Sequence, residues 1–143
     1  MDEPTLARYI TDTFAGVETD VNFGYTFFYC GAHRKLAFAT IASTGNPYEH
    51  VSNLDRPGVF RLNIGVSRQT FQALFGPDKV DVSAYDFTAL DTIMPHPDYA
   101  AQHFVCVLNP GDATMTQVRA LLAEAYDLAA RRQTRRASTT SKQ

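Results

Sequence analysis

Hydrophobic and polar positions alternate most cleanly in VFRLNIGV, residues 59–66. Phe60, Leu62, Ile64 and Val66 interleave with Arg61, Asn63 and Gly65, the two-residue period of a strand with one buried face. Successive strand side chains point to opposite sides, so Arg61 and Asn63 are expected on the face away from Phe60, Leu62 and Ile64. A helix is predicted at once afterwards. Ser67 suits its N-cap, Phe71, Leu74 and Phe75 fall on one side, and Gly76-Pro77 ends it. Helical spacing recurs at both ends of the chain. Leu6, Tyr9, Ile10, Thr13 and Phe14 predict a helix from about Glu3 to Phe14, with Pro4 in its first turn and Gly16 as its stop. Met115, Val118, Leu121, Leu122, Ala125 and Leu128 predict a last helix that begins at Thr114, where Gln117 completes a capping box.

Between these helices lie further strands. TFFYC (26–30) and LAFATIA (36–42) flank GAHRK (31–35), which reads as a hairpin loop. FVCVL (104–108) is apolar throughout and predicts a central strand covered on both faces. The weakest signals are a short strand near Val17–Val21 and a short helix in FTALDTIMP, opened by Thr88 and ended before Pro95. TGNPYEHVSNLDRPG (44–58) and residues 77–87 read as loops, and Pro57-Gly58 fits the centre of a type II turn. The order predicts an α+β fold: a single antiparallel sheet of about four to five strands, packed by N-terminal, middle and C-terminal helices.

Composition bounds the picture. The chain has 143 residues, 45% of them apolar, one domain's worth with enough core to need neither disulfide nor metal. All 15 Asp and Glu fall in residues 1–130, whereas five of the 13 Lys and Arg fall in RRQTRRASTTSKQ. We expect one α+β domain over 1–130 and a disordered basic tail over 131–143. The acidic body disfavours phosphate contact, so nucleic acid is not the expected partner. No apolar run approaches the roughly 18 residues of a membrane span, and MDEPTLARY has neither the basic region nor the apolar stretch of a secretion signal, so a cytoplasmic location is expected. Cys30 and Cys106 sit in apolar runs and read as reduced core thiols. The four histidines form no H-x-x-x-H and no compact Cys/His pair, so no metal site is expected. Without a phosphate loop or a G-x-G-x-x-G motif, no cofactor is expected either.

The candidate chemistry gathers around the polar face of 59–66 and the MPHPDYAAQHF segment (94–104). Arg61 and Asn63 come from the strand, His50 from the loop before it, and His96, Tyr99 and His103 from the approach to FVCVL. If the two strands are close, these six candidate ligand-binding residues converge on one rim, and arginine beside histidine and tyrosine suits an anionic or phenolic ligand. The expectation is that Arg61 lies exposed at the mouth of a pocket with at least one of His96 and His103, so that alanine there impairs binding more than folding. The plain structural alternative stands beside it: polar alternate positions facing water, His96 ordering a turn between two prolines, and Tyr99 resting on the core with its hydroxyl outward.

Four segments, LDRPGVFRLNIGVSRQTFQALFG (54–76), DFTALDTIMPHPDY (86–99), FVCVLNP (104–110) and LLAEAYDLA (121–129), carry a resemblance to an uncharacterised actinobacterial domain-of-unknown-function family. More distantly the arrangement is similar to the YjbR/MmcQ-like fold, with His103-Phe104 where relatives often show His-Trp. The resemblance implies the sandwich and no activity, cofactor or site residue. The leading reading is a small protein that binds a small molecule, with a cofactor-independent accessory enzyme as a variant of it. The alternative is a protein- or nucleic-acid-binding module that uses the sheet surface and the basic tail. A monomer or a homodimer is expected, the dimer through an exposed strand edge.

Overall fold

The computed structural model describes residues 1–31, 36–43 and 46–141, and of 135–141 only the backbone. The GAHRK loop therefore lies, apart from Gly31, outside the described residues. Helix α1 (Glu3–Thr13) opens on Asp2, whose carboxylate accepts from the Thr5 amide at 2.9 Å, and buries Leu6 and Ile10. Two strands follow, β1 (Val17–Asn22) and β2 (Tyr25–Cys30). The turn between them holds Phe23 at φ 56° and Gly24 at φ 77°. Two successive positive φ values match the right-handed twist of a two-residue hairpin. A side chain at Gly24 would also strike the Asn46 backbone at 2.9 Å. The weak signal at 17–21 is thus a full strand.

Next come β3 (Ala39–Ala42), β4 (Arg61–Gly65) and helix α2 (Arg68–Phe75). Ser67 Oγ accepts from the Thr70 amide at 3.1 Å and Gly76 closes the helix, as its signals predict. At Gly58 φ is 74° and the Val59 amide donates to Arg56 O, the geometry expected at Pro57-Gly58. Strands β5 (Met94–Pro95) and β6 (Phe104–Leu108) and helix α3 (Met115–Ser141) complete the order. All six strands pair antiparallel in the order β1-β2-β3-β4-β6-β5. The architecture is the expected α+β class with one more strand than the upper expectation, because β1 is real and β5 is only two residues long.

The expected short helix in FTALDTIMP does not form. Leu90 instead bridges Leu108, and Asp91, at φ 52°, turns its carboxylate onto the start of α3. It accepts from the Gly111, Ala113 and Thr114 amides at 2.8, 3.0 and 3.2 Å and from the Thr114 hydroxyl at 2.6 Å. These amides belong to the turn that leads into α3, so a carboxylate from a distant loop fixes that turn and adds a negative charge near the positive end of the helix.

All three helices pack on one face of the sheet. Leu6, Ile10, Phe71, Val118, Leu122 and Ala125 meet Phe28, Ile41, Leu62, Ile64, Val105 and Val107 there. The other face holds a smaller cluster in which Leu54, Val59 and Phe87 from the loops meet Ala42, Met94, Cys106 and Leu108. Strand β4 is therefore buried on both sides, which the alternation of VFRLNIGV does not reveal.

Candidate functional site

The ladder registers set the pattern of the loop-covered face. Tyr25 pairs with Ala42, which pairs with Arg61; Phe27 pairs with Thr40, Thr40 with Asn63, and Asn63 with Cys106; Gly65 pairs with Phe104. Because alternate residues share a face, Tyr25, Phe27, Tyr29, Thr40, Arg61, Asn63, Gly65 and Phe104 all point to the side away from the helices. The three aromatics of β2 form a ladder, with ring centroids 5.8 Å apart for Tyr25–Phe27 and 6.2 Å for Phe27–Tyr29.

A cavity of about 890 Å³ opens on this face, floored by Tyr25, Phe27, Thr40, Asn63, Gly65 and Phe104 and walled by His96 and Tyr99. Its far end passes to the helical side, where Phe38, Val66 and Ala125 of the main core and Leu128, Ala129 and Arg132 of α3 line it. Gly65 leaves room for it: a Cβ there would press on the Phe104 ring at 3.0 Å, so glycine lets that ring lie flat across the floor.

Arg61 is not at the mouth. It is 1% exposed, does not line the cavity, and sits in a buried network beside it on the same face. Its Nη1 pairs with Glu49, whose side chain is 3% exposed, and also donates to Ser52 Oγ at 3.0 Å. Its Nε donates to Asn63 Oδ1 at 3.0 Å, and Asn63 Nδ2 donates in turn to Thr40 Oγ1 at 3.0 Å. The exposed arginine expected from the sequence is corrected here. An unpaired guanidinium cannot be buried cheaply, but the loop at 46–58 brings a carboxylate over it. Arg56 pins that loop by donating to Ser52 O, Asn53 O and Thr88 O.

His96 is 4% exposed. Its Nδ1 accepts from the Asp98 and Tyr99 amides, both at 3.0 Å, so the ring orders the turn between Pro95 and Pro97 as the plain reading supposed, while also facing the cavity. Burial, reinforced by the charge on Arg61, lowers its pKa to about 3. The imidazole is neutral, and with Nδ1 occupied as an acceptor the hydrogen is on Nε2. Tyr99 lies at 5.0 Å from His96 between ring centroids and is 56% exposed, at the rim. Burial raises the pKa of Tyr25, with the Arg61 charge opposing.

The remaining two candidates are elsewhere. His103, at φ 66°, caps the 3-10 turn Ala100–Gln102, and its ring packs 5.6 Å from Phe71 of α2 on the helical side. The left-handed backbone turns its side chain away from the cavity. His50 is exposed beside Glu49, Asn53 and Asp55 in a small separate hollow. Of the six candidates, Asn63, His96 and Tyr99 share the cavity, Arg61 lies beside it, and His50 and His103 do not reach it.

Sequence reasoning passed over Tyr25, Phe27, Tyr29, Thr40, Phe104 and Glu49. The i, i+2 spacing of the β2 aromatics was a usable signal, hidden because TFFYC is apolar at every position. Cys106 is buried, its thiol pushed up to about 12 by burial, and Cys30 is half-buried. Among the described residues no group of three or more His, Cys, Asp or Glu is placed to hold a metal ion, and no helix is long and apolar enough to cross a membrane. The family model described as "Family of unknown function (DUF6194)" matches residues 1–138. No curated protein matches the chain.

Proposed function

The chain belongs to DUF6194, a family of unknown function, and from that premise we propose that it binds a small, planar, largely apolar molecule in the cavity on the open face of its sheet. The observation that carries this is the cavity itself: about 890 Å³, within the usual range of small-molecule sites, lined by aromatic rings with few polar groups among them. The Tyr25–Phe27–Tyr29 ladder and Phe104 offer flat surfaces on which a ring can stack. Glu49 neutralises Arg61 beside the cavity, but Arg132 lines its far end, so the expected anionic or phenolic ligand stays within the proposal, with its polar group toward that end. The likeness to the YjbR/MmcQ-like fold and a cytoplasmic setting belong to the same proposal, which leaves open whether the bound molecule is turned over.

A cavity-filling variant tests it. Leu128 lines the far end, half-buried and outside the main core. In Leu128→Trp an indole takes up part of the space. Binding of planar aromatic probes, read by calorimetry, is expected to fall at least tenfold while the thermal midpoint holds within a few degrees. Unchanged affinity in a folded variant would place the probes elsewhere and remove the proposal.

A further inference from the structure

The polar groups of the cavity floor are polarised in one direction. Arg61 sets that direction, because it is always protonated and can only donate. Its Nε–H points at Asn63, so the Asn63 atom 3.0 Å away must be the carbonyl oxygen. That puts the Asn63 amide nitrogen against Thr40 Oγ1 at 3.0 Å and makes the Thr40 oxygen an acceptor there. The Thr40 hydroxyl hydrogen then has no acceptor among the described residues, and neither does the second Asn63 Nδ2 hydrogen. On the opposite wall two backbone amides hold His96 Nδ1 as an acceptor, which leaves its Nε2–H as a third donor without a partner among the described residues. Asn63 and His96 are both more than nine-tenths buried, and both line the cavity.

From this arrangement we infer that the cavity favours planar aromatic ligands that present a hydrogen-bond acceptor, such as aromatic ketones, over those that present a donor, with His96 Nε2–H as the specificity-determining donor. The inference rests on the cavity being a ligand site and deepens that reading. Buried donors left unpaired cost a ligand complex measurable affinity, so an acceptor-bearing ligand gains what an apolar ligand of the same shape forfeits. An alcohol or amine gains less, because its own hydrogen must find a partner among the remaining lone pair of Thr40 Oγ1 and the tyrosine hydroxyls, whereas a carbonyl has no hydrogen to place. The donors do not compete with the ring-stacking surface, since the β2 aromatics and Phe104 supply shape while His96, Asn63 and Thr40 supply direction.

Three probes of one shape separate the effects: 9-fluorenone with a carbonyl, fluorene with a methylene, and 9-hydroxyfluorene with a hydroxyl. Each is titrated into the full chain, wild type and His96→Phe, by calorimetry. The expected wild-type result is fluorenone at least tenfold tighter than fluorene, with the alcohol between them. In His96→Phe that preference falls to within about threefold while fluorene affinity holds. Because His96→Phe also leaves two loop amides without an acceptor, a measurement on the unmodified chain stands beside it. The fluorenone carbonyl stretch should move to lower frequency on binding, and the His96 Nε2–H proton should shift downfield with fluorenone but not with fluorene. Equal affinities for the three probes, or an unshifted carbonyl stretch, overturn the donor inference and leave the cavity reading intact. Failure of all three to bind overturns both.

Discussion

Arg61 offers the sharpest test of the architecture, because the local pattern and the folded structure make opposite predictions for it. An exposed strand arginine can be changed at a cost within about 0.5 kcal/mol. In the structure, removing the guanidinium strands the Glu49 carboxylate, whose side chain is 3% exposed, and takes a donor from Ser52 Oγ and from Asn63 Oδ1. Breaking a buried pair from one side costs about 3–5 kcal/mol. For a domain of this length the unfolding entropy scales to about 0.3 kcal/mol per kelvin, so the thermal midpoint should drop by about 10–17 °C. The assay is urea and thermal unfolding followed by circular dichroism, since the chain has no tryptophan. Three variants close the cycle: Arg61→Met, Glu49→Gln and both together. Arg61→Met keeps much of the stem's volume, so its cost reports mainly the stranded charge. The double variant leaves no charge at either position, and the side-chain amide introduced by Glu49→Gln can still accept from the Val51 and Ser52 amides through one oxygen. It should be less destabilised than the sum of the singles by about 2 kcal/mol or more. A loss below about 1 kcal/mol in Arg61→Met, or strict additivity in the cycle, would refute the buried network.

Two further outcomes follow from the same reasoning. The His96 pKa is lowered in the fold to about 3 from the usual 6.5, so its contribution to stability is complete above pH 6.5 and is lost as pH falls toward 3. Between pH 7 and pH 5 this amounts to about 2 kcal/mol, a slope that His96→Phe should lack and that a His96 titration near 6.5 in the folded protein would contradict. Asp91 caps α3 from a left-handed backbone position, with a carboxyl whose pKa is lowered chiefly by the Thr114 hydroxyl. Asp91→Ala should therefore cost about 2 kcal/mol in urea unfolding and Asp91→Asn about half that, because asparagine tolerates the left-handed region and still accepts hydrogen bonds; equal costs would remove the backbone part of the argument.

Local chemistry settled much of the fold. Ser67, Gly76, Pro57-Gly58 and the helical stripe from Met115 to Leu128 each act within a few residues, so the caps, the turn and the helices were readable from the chain. The alternation in VFRLNIGV likewise determined which way Arg61 and Asn63 point, since period two is a property of the backbone. What covers that face was beyond local pattern. Glu49 meets Arg61 because a loop twelve residues back folds over β4, and Asp91 reaches Gly111, in the turn before α3, from twenty residues before it. Both partnerships are long-range electrostatics, with no periodic signature. The cavity has the same origin: Tyr25, Thr40, Asn63, Phe104 and His96 come together only through the register of the strands. His103, one residue from Phe104, is turned away because a single left-handed φ redirects its side chain. Sequence determined the three helices, the longer strands and the orientation of the β4 side chains, but not the FTALDTIMP segment, which pairs with β6 instead of forming the expected helix. Tertiary structure decided which polar groups are buried and what they can bind, because charge pairing and strand register act between residues far apart along the chain.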